Sequence, residues 1–190
     1  MRPFGLVAAL LRCDSEGHFS LRPNWRVWLH LSTEERFALA EEIAAQVRRC
    51  QTHGLPLTHA DSHGFVHVGI PAILSVMAPV LRARGVRAVR LARNMWASSM
   101  AARLAKAAYN RWLRQQGFWT TELFGTLRDA LPYLASAASP SKSVEVMVHP
   151  SYGAGGQLLD VTLRPHVPLL PEAFGGKPLS PYPTVGPCDR

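Results

Sequence analysis

The chain has 190 residues, with 21 Lys and Arg against 13 Asp and Glu, for a formal net charge of +8. That length suits one domain with a full core and no need of disulfide or metal staples. Hydrophobic content of 47% beside 18% charged residues excludes a mostly disordered chain. No apolar run approaches the ~20 residues that cross a bilayer, so neither a transmembrane segment nor a membrane partner is expected.

Residues 4–11 are apolar after Arg2, but Arg12 and Cys13 stand where a signal sequence would carry small residues for cleavage. The three cysteines, Cys13, Cys50 and Cys188, are odd in number and widely spaced, which fits neither a disulfide framework nor a zinc ribbon. A reducing, cytoplasmic setting is the expectation. Arginine supplies 18 of the 21 cations, spread along the chain and not packed into one basic face. The densest group is Arg82, Arg84, Arg87, Arg90 and Arg93, which mixes helix-end and strand positions, so no nucleic-acid partner is expected.

In chain order, Ser32 followed by Glu35 is a capping-box signature. Phe37, Ala40, Ala44 and Val47 then recur at helical spacing, and Gly54 stands past the expected end. Residues 57–68 read as a strand running into a loop that carries three histidines. Pro71 and Gly85 bracket a second helix with Pro79 as a kink site. Residues 86–91 are β-branched enough for a strand, and residues 97–116 form a third helix closed by Gly117. A shorter helix is expected over 126–137, then a connector over 139–143, then a compact apolar strand over 144–148. Strands alternating with helices argue for a parallel α/β sheet or barrel. Beyond it lie a glycine-rich stretch at 153–156 and a tail with seven prolines between Pro165 and Pro187, read as irregular. The expected division is therefore a domain over 1–160 and a Pro-rich irregular tail over 161–190.

Between His59 and His67 the chain gathers three of its eight histidines and Asp61 within nine positions. In an extended strand His59, Asp61 and His63 alternate onto one face, so potential metal ligands or proton carriers converge at its carboxyl end. Active sites of α/β folds lie at such ends. Neutral imidazole and carboxylate suit a divalent cation; partly buried histidines that only hydrogen-bond are the structural alternative. Helical spacing would align His59, His63 and His67 instead, although Pro56 and Gly64 disfavour a continuous helix. A second candidate is the apolar strand ending in His149-Pro150, where an imidazole beside a metal site becomes a general acid.

The segment Thr58-His59-Ala60-Asp61-Ser62-His63 with His67, and the later Val144-Glu145-Val146-Met147-Val148-His149-Pro150, resemble the YdjC-like carbohydrate deacetylases, the ChbG/HpnK family. With the helix over 33–53, the stretch 86–93 and residues 120–125, the resemblance covers about residues 17–152. It implies a partial or distorted (β/α) barrel of the glycoside hydrolase/deacetylase type, and a metal-dependent hydrolase removing N-acetyl groups from amino sugars or oligosaccharides. It further implies a divalent metal, Mg or Zn, with His63 as a ligand and His59 and His67 as metal-site residues. His149 takes the place of the acid that protonates the leaving amine, and Asp61 stands beside it as a catalytic candidate. Arg90 and Arg93 are candidates for substrate contact, with surface arginines at a strand end as the alternative. Trp96, Trp112 and Trp119 are candidates for sugar stacking or for core filling.

Departures from the family pattern shape the expectation. No Asp-Asp-Phe-Gly motif occurs, and nothing before Gly17 reads as the Gly-x-His metal strand, so two of the three family ligands lack counterparts. The sequence reads as starting partway into the family pattern, with open strand edges that also point to homodimerisation. Two functions stay open: the deacetylase, and a noncatalytic remnant that acts as a carbohydrate-binding or interaction protein.

Overall fold

The computed structural model describes residues 30–62, 65–96, 99–135, 142–161 and 167–168. Its contacts divide the chain into two compact units, with the path passing from one to the other after Val89 and returning over Gln116–Trp119.

In the first unit, helix α1 spans Thr33–Thr52. Its start is the reciprocal capping box expected from sequence: Glu35 N–H donates to Ser32 Oγ at 3.2 Å, and Ser32 N–H donates to Glu35 Oε2 at 2.7 Å. Gly54, with φ 70°, ends it in a left-handed conformation that an L side chain disfavours. The buried face is the expected one at Ala40, Ala44 and Val47 and departs from it at Phe37. Phe37 is 67% exposed, while Leu39, Ala44 and Val47 turn inward. Leu39 joins Leu31, Ile70, Ile73 and Val76 in one apolar cluster, with Ile43 packed against it. The cluster ties α1 to helix α3, Pro71–Ala83, whose Pro71 occupies the first turn, where its missing N–H costs nothing. Pro79 lies inside α3, and Gly85 (φ 79°) follows it. Helix α2 is a single turn, Val66–Gly69.

The strand expected over 86–91 is reduced to two residues. Ala88 and Val89 make isolated parallel bridges, Val89 to Ala60 and Ala88 to Trp119. Ala60 N–H donates to Ala88 O at 3.0 Å, and Trp119 N–H to Arg87 O at 2.8 Å. Among the described residues, the strand expected over 57–68 likewise contributes only Ala60 to a ladder, and Val66 to Val68 lie in α2 instead.

In the second unit, helix α4 spans Met100–Gln115, strand β1 Leu123–Thr126, helix α5 Leu127–Ala135 and strand β2 Val144–Met147. β1 and β2 pair in parallel, with Phe124 opposite Glu145 and Thr126 opposite Met147. Asn94 extends that pairing by its side chain. Phe124 N–H donates to Asn94 Oδ1 at 2.8 Å, while Asn94 Nδ2 donates to Glu122 O at 2.9 Å. Leu91, Ala92, Leu113, Phe124, Leu127 and Ala130 are fully buried and form the apolar interior. Three short strands follow in an antiparallel order: β3 Pro150–Tyr152, β4 Leu158–Asp160 and β5 Val167–Pro168. β5 corrects the irregular reading at those two positions.

The architecture is thus a mixed α/β arrangement with small sheets, and no closed barrel is formed among the described residues. No helix of the described residues is long and apolar enough to cross a membrane.

Candidate functional site

The histidine-rich segment follows the Ala60 bridge. Asp61 is exposed and His59 is half-buried, with its Nδ1 3.1 Å from Thr58 Oγ1. The anchor of the segment is Ser62, to which its place in the motif assigned no role. Its Oγ accepts the His67 backbone N–H at 3.0 Å and lies 2.5 Å from His67 Nδ1. Its carbonyl accepts Phe65 N–H at 3.1 Å. Phe65 sits in the left-handed region with φ 58°, a conformation that costs a bulky residue on the order of 1–3 kcal/mol and persists only where its surroundings hold it. His67 is 0% exposed, so this imidazole is a buried, hydrogen-bonded group in a helical turn, not one of an alternating row along a strand. His63, the expected metal ligand, lies outside the described residues, as does Gly64. Among the described residues, no three or more His, Cys, Asp or Glu side chains gather in a way that could hold a metal ion.

His149 lies two residues past the end of β2. Its ring is exposed, and its main chain is fixed on both sides. The His149 N–H donates to Asp160 Oδ2 at 3.4 Å, and its carbonyl accepts Val161 N–H at 3.1 Å. Asp160 is itself fully buried in β4. The backbone at His149 is therefore braced by the small antiparallel sheet while the imidazole stays open to solvent. Nothing in the spacing of the sequence pointed to Asp160, eleven positions away.

The two candidate arginines are both held by carboxylates. Arg90 Nε donates to Glu145 Oε1 at 2.5 Å, and its guanidinium stacks 4.9 Å from the centre of the Phe124 ring. Glu145 occupies the otherwise apolar β2, and Arg90 is what makes its burial tolerable. Arg93 grips Asp129 through Nε at 2.6 Å and Nη2 at 2.8 Å, the paired fork that suits guanidinium and carboxylate. Asp129 also accepts the Thr126 N–H at 2.8 Å and hydroxyl at 2.9 Å, which caps the start of α5. Burial alone would raise the Asp129 pKa. The bonds from Arg93 and Thr126, with the Arg93 charge, outweigh it and hold the carboxyl below the usual aspartate range. Trp96 is 56% exposed and carries Arg93 at 4.8 Å and Lys106 at 5.4 Å from its ring centre.

Against this geometry, a family model described as YdjC-like protein matches residues 8–165, more than half of the chain. The chain belongs to the YdjC-like family. No curated protein and no solved structure matches it. The matched span contains both segments on which the sequence resemblance stood, residues 58–67 and 144–150. In this YdjC-like chain each segment includes a parallel pairing within its own unit: Ala60 with Val89 in the first, β2 with β1 in the second.

Proposed function

We propose that this YdjC-like protein acts on N-acetylated amino sugars or oligosaccharides, releasing acetate by amide hydrolysis, on a distorted form of the family's barrel. The observation that carries the reading is that Asp61 and Ser62 come just after the parallel Ala60 bridge and His149 just after the parallel strand β2, the position where α/β folds present reactive side chains. His149 is assigned the proton transfer to the leaving amine. An exposed imidazole on a braced backbone meets the need of a general acid for access and fixed position. Imidazole is also the side chain that exchanges its proton near neutral pH.

The family's chemistry calls for a divalent metal, Mg or Zn, and the reading assigns His63 to it as a ligand. The described residues do not fit such an ion: no group of three or more suitable side chains is assembled, and the Asp-Asp-Phe-Gly and Gly-x-His ligands have no counterpart in the sequence. The same observation favours a second reading, in which the protein binds carbohydrate without hydrolysing it.

One experiment separates the two. Acetate release from N-acetylated chito-oligosaccharides is measured with and without added Mg or Zn, for the 190-residue chain and for His149→Ala and His63→Ala, with metal content determined by elemental analysis. Acetate release that falls at least ~100-fold in His149→Ala, in the range of a general-acid contribution, supports the deacetylase. Absence of acetate with retained oligosaccharide binding assigns the noncatalytic role.

A further inference from the structure

A recess lies wholly within the second unit, on the face of α4. It has a volume of about 440 Å³ and is lined by Asn94, Arg103, Lys106, Asn110, Arg114 and Glu122, among others. Residues 103, 106, 110 and 114 fall on one stripe of the helix because steps of three and four residues return to the same face. The lining carries three cations against one carboxylate.

The protein leaves part of the donor capacity of this lining unused. Arg103 is exposed and makes no side-chain bond to any described residue. Lys106 is positioned by the Trp96 ring, a contact that leaves its three N–H donors available. Arg114 is anchored from one edge, with Nε to Thr120 Oγ1 at 3.0 Å and Nη2 to Thr121 O at 3.3 Å, so its Nη1 group remains. Asn110 is 5% exposed. Its Oδ1 accepts the Ala92 N–H at 3.0 Å, which fixes the amide orientation and leaves the Nδ2 donor with no partner among the described residues. A nearly buried, oriented amide donor beside three cations has the composition of an oxyanion pocket.

We propose that this recess binds the phosphate or sulfate group of a small anionic molecule, held by Arg103, Lys106, Arg114 and Asn110 Nδ2. The volume is that of a small-molecule site. Glu122 in the same wall opposes a continuous polyanion such as a nucleic-acid backbone, which would have to pass it. The proposal is independent of the deacetylase reading, since it concerns binding alone and uses neither histidine segment.

The test is calorimetric titration of the full 190-residue chain with inorganic phosphate and with sulfate, repeated on Arg103→Ala and on Arg48→Ala. Arg48 is an exposed arginine of α1 whose loss changes the net charge equally. Charge-assisted hydrogen bonds are worth ~1.5–3 kcal/mol, so Arg103→Ala should weaken binding about ten- to a hundredfold while Arg48→Ala leaves it unchanged. Both arginines are solvent-exposed, and circular dichroism confirms that each variant keeps the parent fold. Preference for one anion over the other identifies the group recognised. Equal weakening by both variants, or no saturable binding of either anion up to about 10 mM, overturns the proposal. So does DNA binding that Arg103→Ala abolishes in a protein that takes up neither anion.

Discussion

Removal of the Asp129 carboxylate tests whether Arg93 is part of the scaffold or free to serve a substrate. The side chain of Asp129 is 6% exposed and that of Arg93 29%, and they share two bonds of 2.6 and 2.8 Å. At an effective dielectric constant of ~20, opposite charges ~4 Å apart attract by about 4 kcal/mol before desolvation is subtracted. Breaking a fully buried pair costs ~3–5 kcal/mol. Water can reach the Arg93 end, which places Asp129→Ala lower, at about 2–3 kcal/mol, including the lost cap at Thr126. Asp129→Asn keeps an acceptor for the Thr126 N–H and should lose about 1–2 kcal/mol. For a chain of this size about 1 kcal/mol shifts Tm by ~2–4 °C, so Asp129→Ala should melt roughly 4–12 °C lower. The pH dependence supplies the second arm. Because the folded carboxyl titrates below the unfolded value of about 3.9, its stabilisation is complete above that value and is lost as pH falls through the folded pKa. In that window the unfolded chain binds more protons than the folded one. Urea denaturation followed by tryptophan fluorescence from pH 7 to pH 3 should therefore show a component of acid destabilisation in the parent that Asp129→Asn lacks. An Asp129→Ala variant as stable as the parent at pH 7, or an Asp129→Asn variant with the parent's acid sensitivity, would refute the scaffold role.

Two further substitutions probe the same framework and the histidine segment. A Cβ at Gly125 would lie 2.8 Å from the Asp129 Cβ and 3.0 Å from the Met95 Cβ, so Gly125→Ala should push β1 and α5 apart. The expected loss is about 1–3 kcal/mol in urea denaturation, and an unchanged midpoint would contradict the close approach. Ser62→Ala leaves the backbone N–H and Nδ1 of buried His67 without their Ser62 partner, an expected cost of about 2 kcal/mol. If the deacetylase reading holds, acetate release should fall with it, because Ser62 lies between Asp61 and His63. A melting temperature within ~1 °C of the parent would show that Ser62 does not hold the turn.

Local signals in the chain were sufficient for the four longer helices, though not for the single turn Val66–Gly69, which was read as part of a strand and loop. The Ser32 and Glu35 capping box, Pro71 at a first turn, and Gly54, Gly85 and Gly117 at helix ends act through bonds and dihedral angles within a few residues, so they can be read without a partner in view. The two histidine-bearing segments were also legible, since the side chains that chemistry needs are printed in the sequence whatever surrounds them. The buried face of α1 was legible at Ala40, Ala44 and Val47 but not at its first turns. Phe37 fits the helical spacing as well as Leu39 does, and only packing against α3 selects the stripe that turns inward.

The length and composition of the chain, the places of its four longer helices and its family membership were determined by the sequence alone, because each depends on residue identity and short-range geometry. The tertiary structure decided which polar groups are spoken for. Arg90 meets Glu145 fifty-five residues later, Arg93 meets Asp129 thirty-six residues later, and Asn110 is oriented by Ala92 eighteen residues earlier. A strand-end arginine has the same appearance in sequence whether it faces a substrate or a buried carboxylate. The difference is made by desolvation and charge pairing between distant segments, which exist only once the chain has folded.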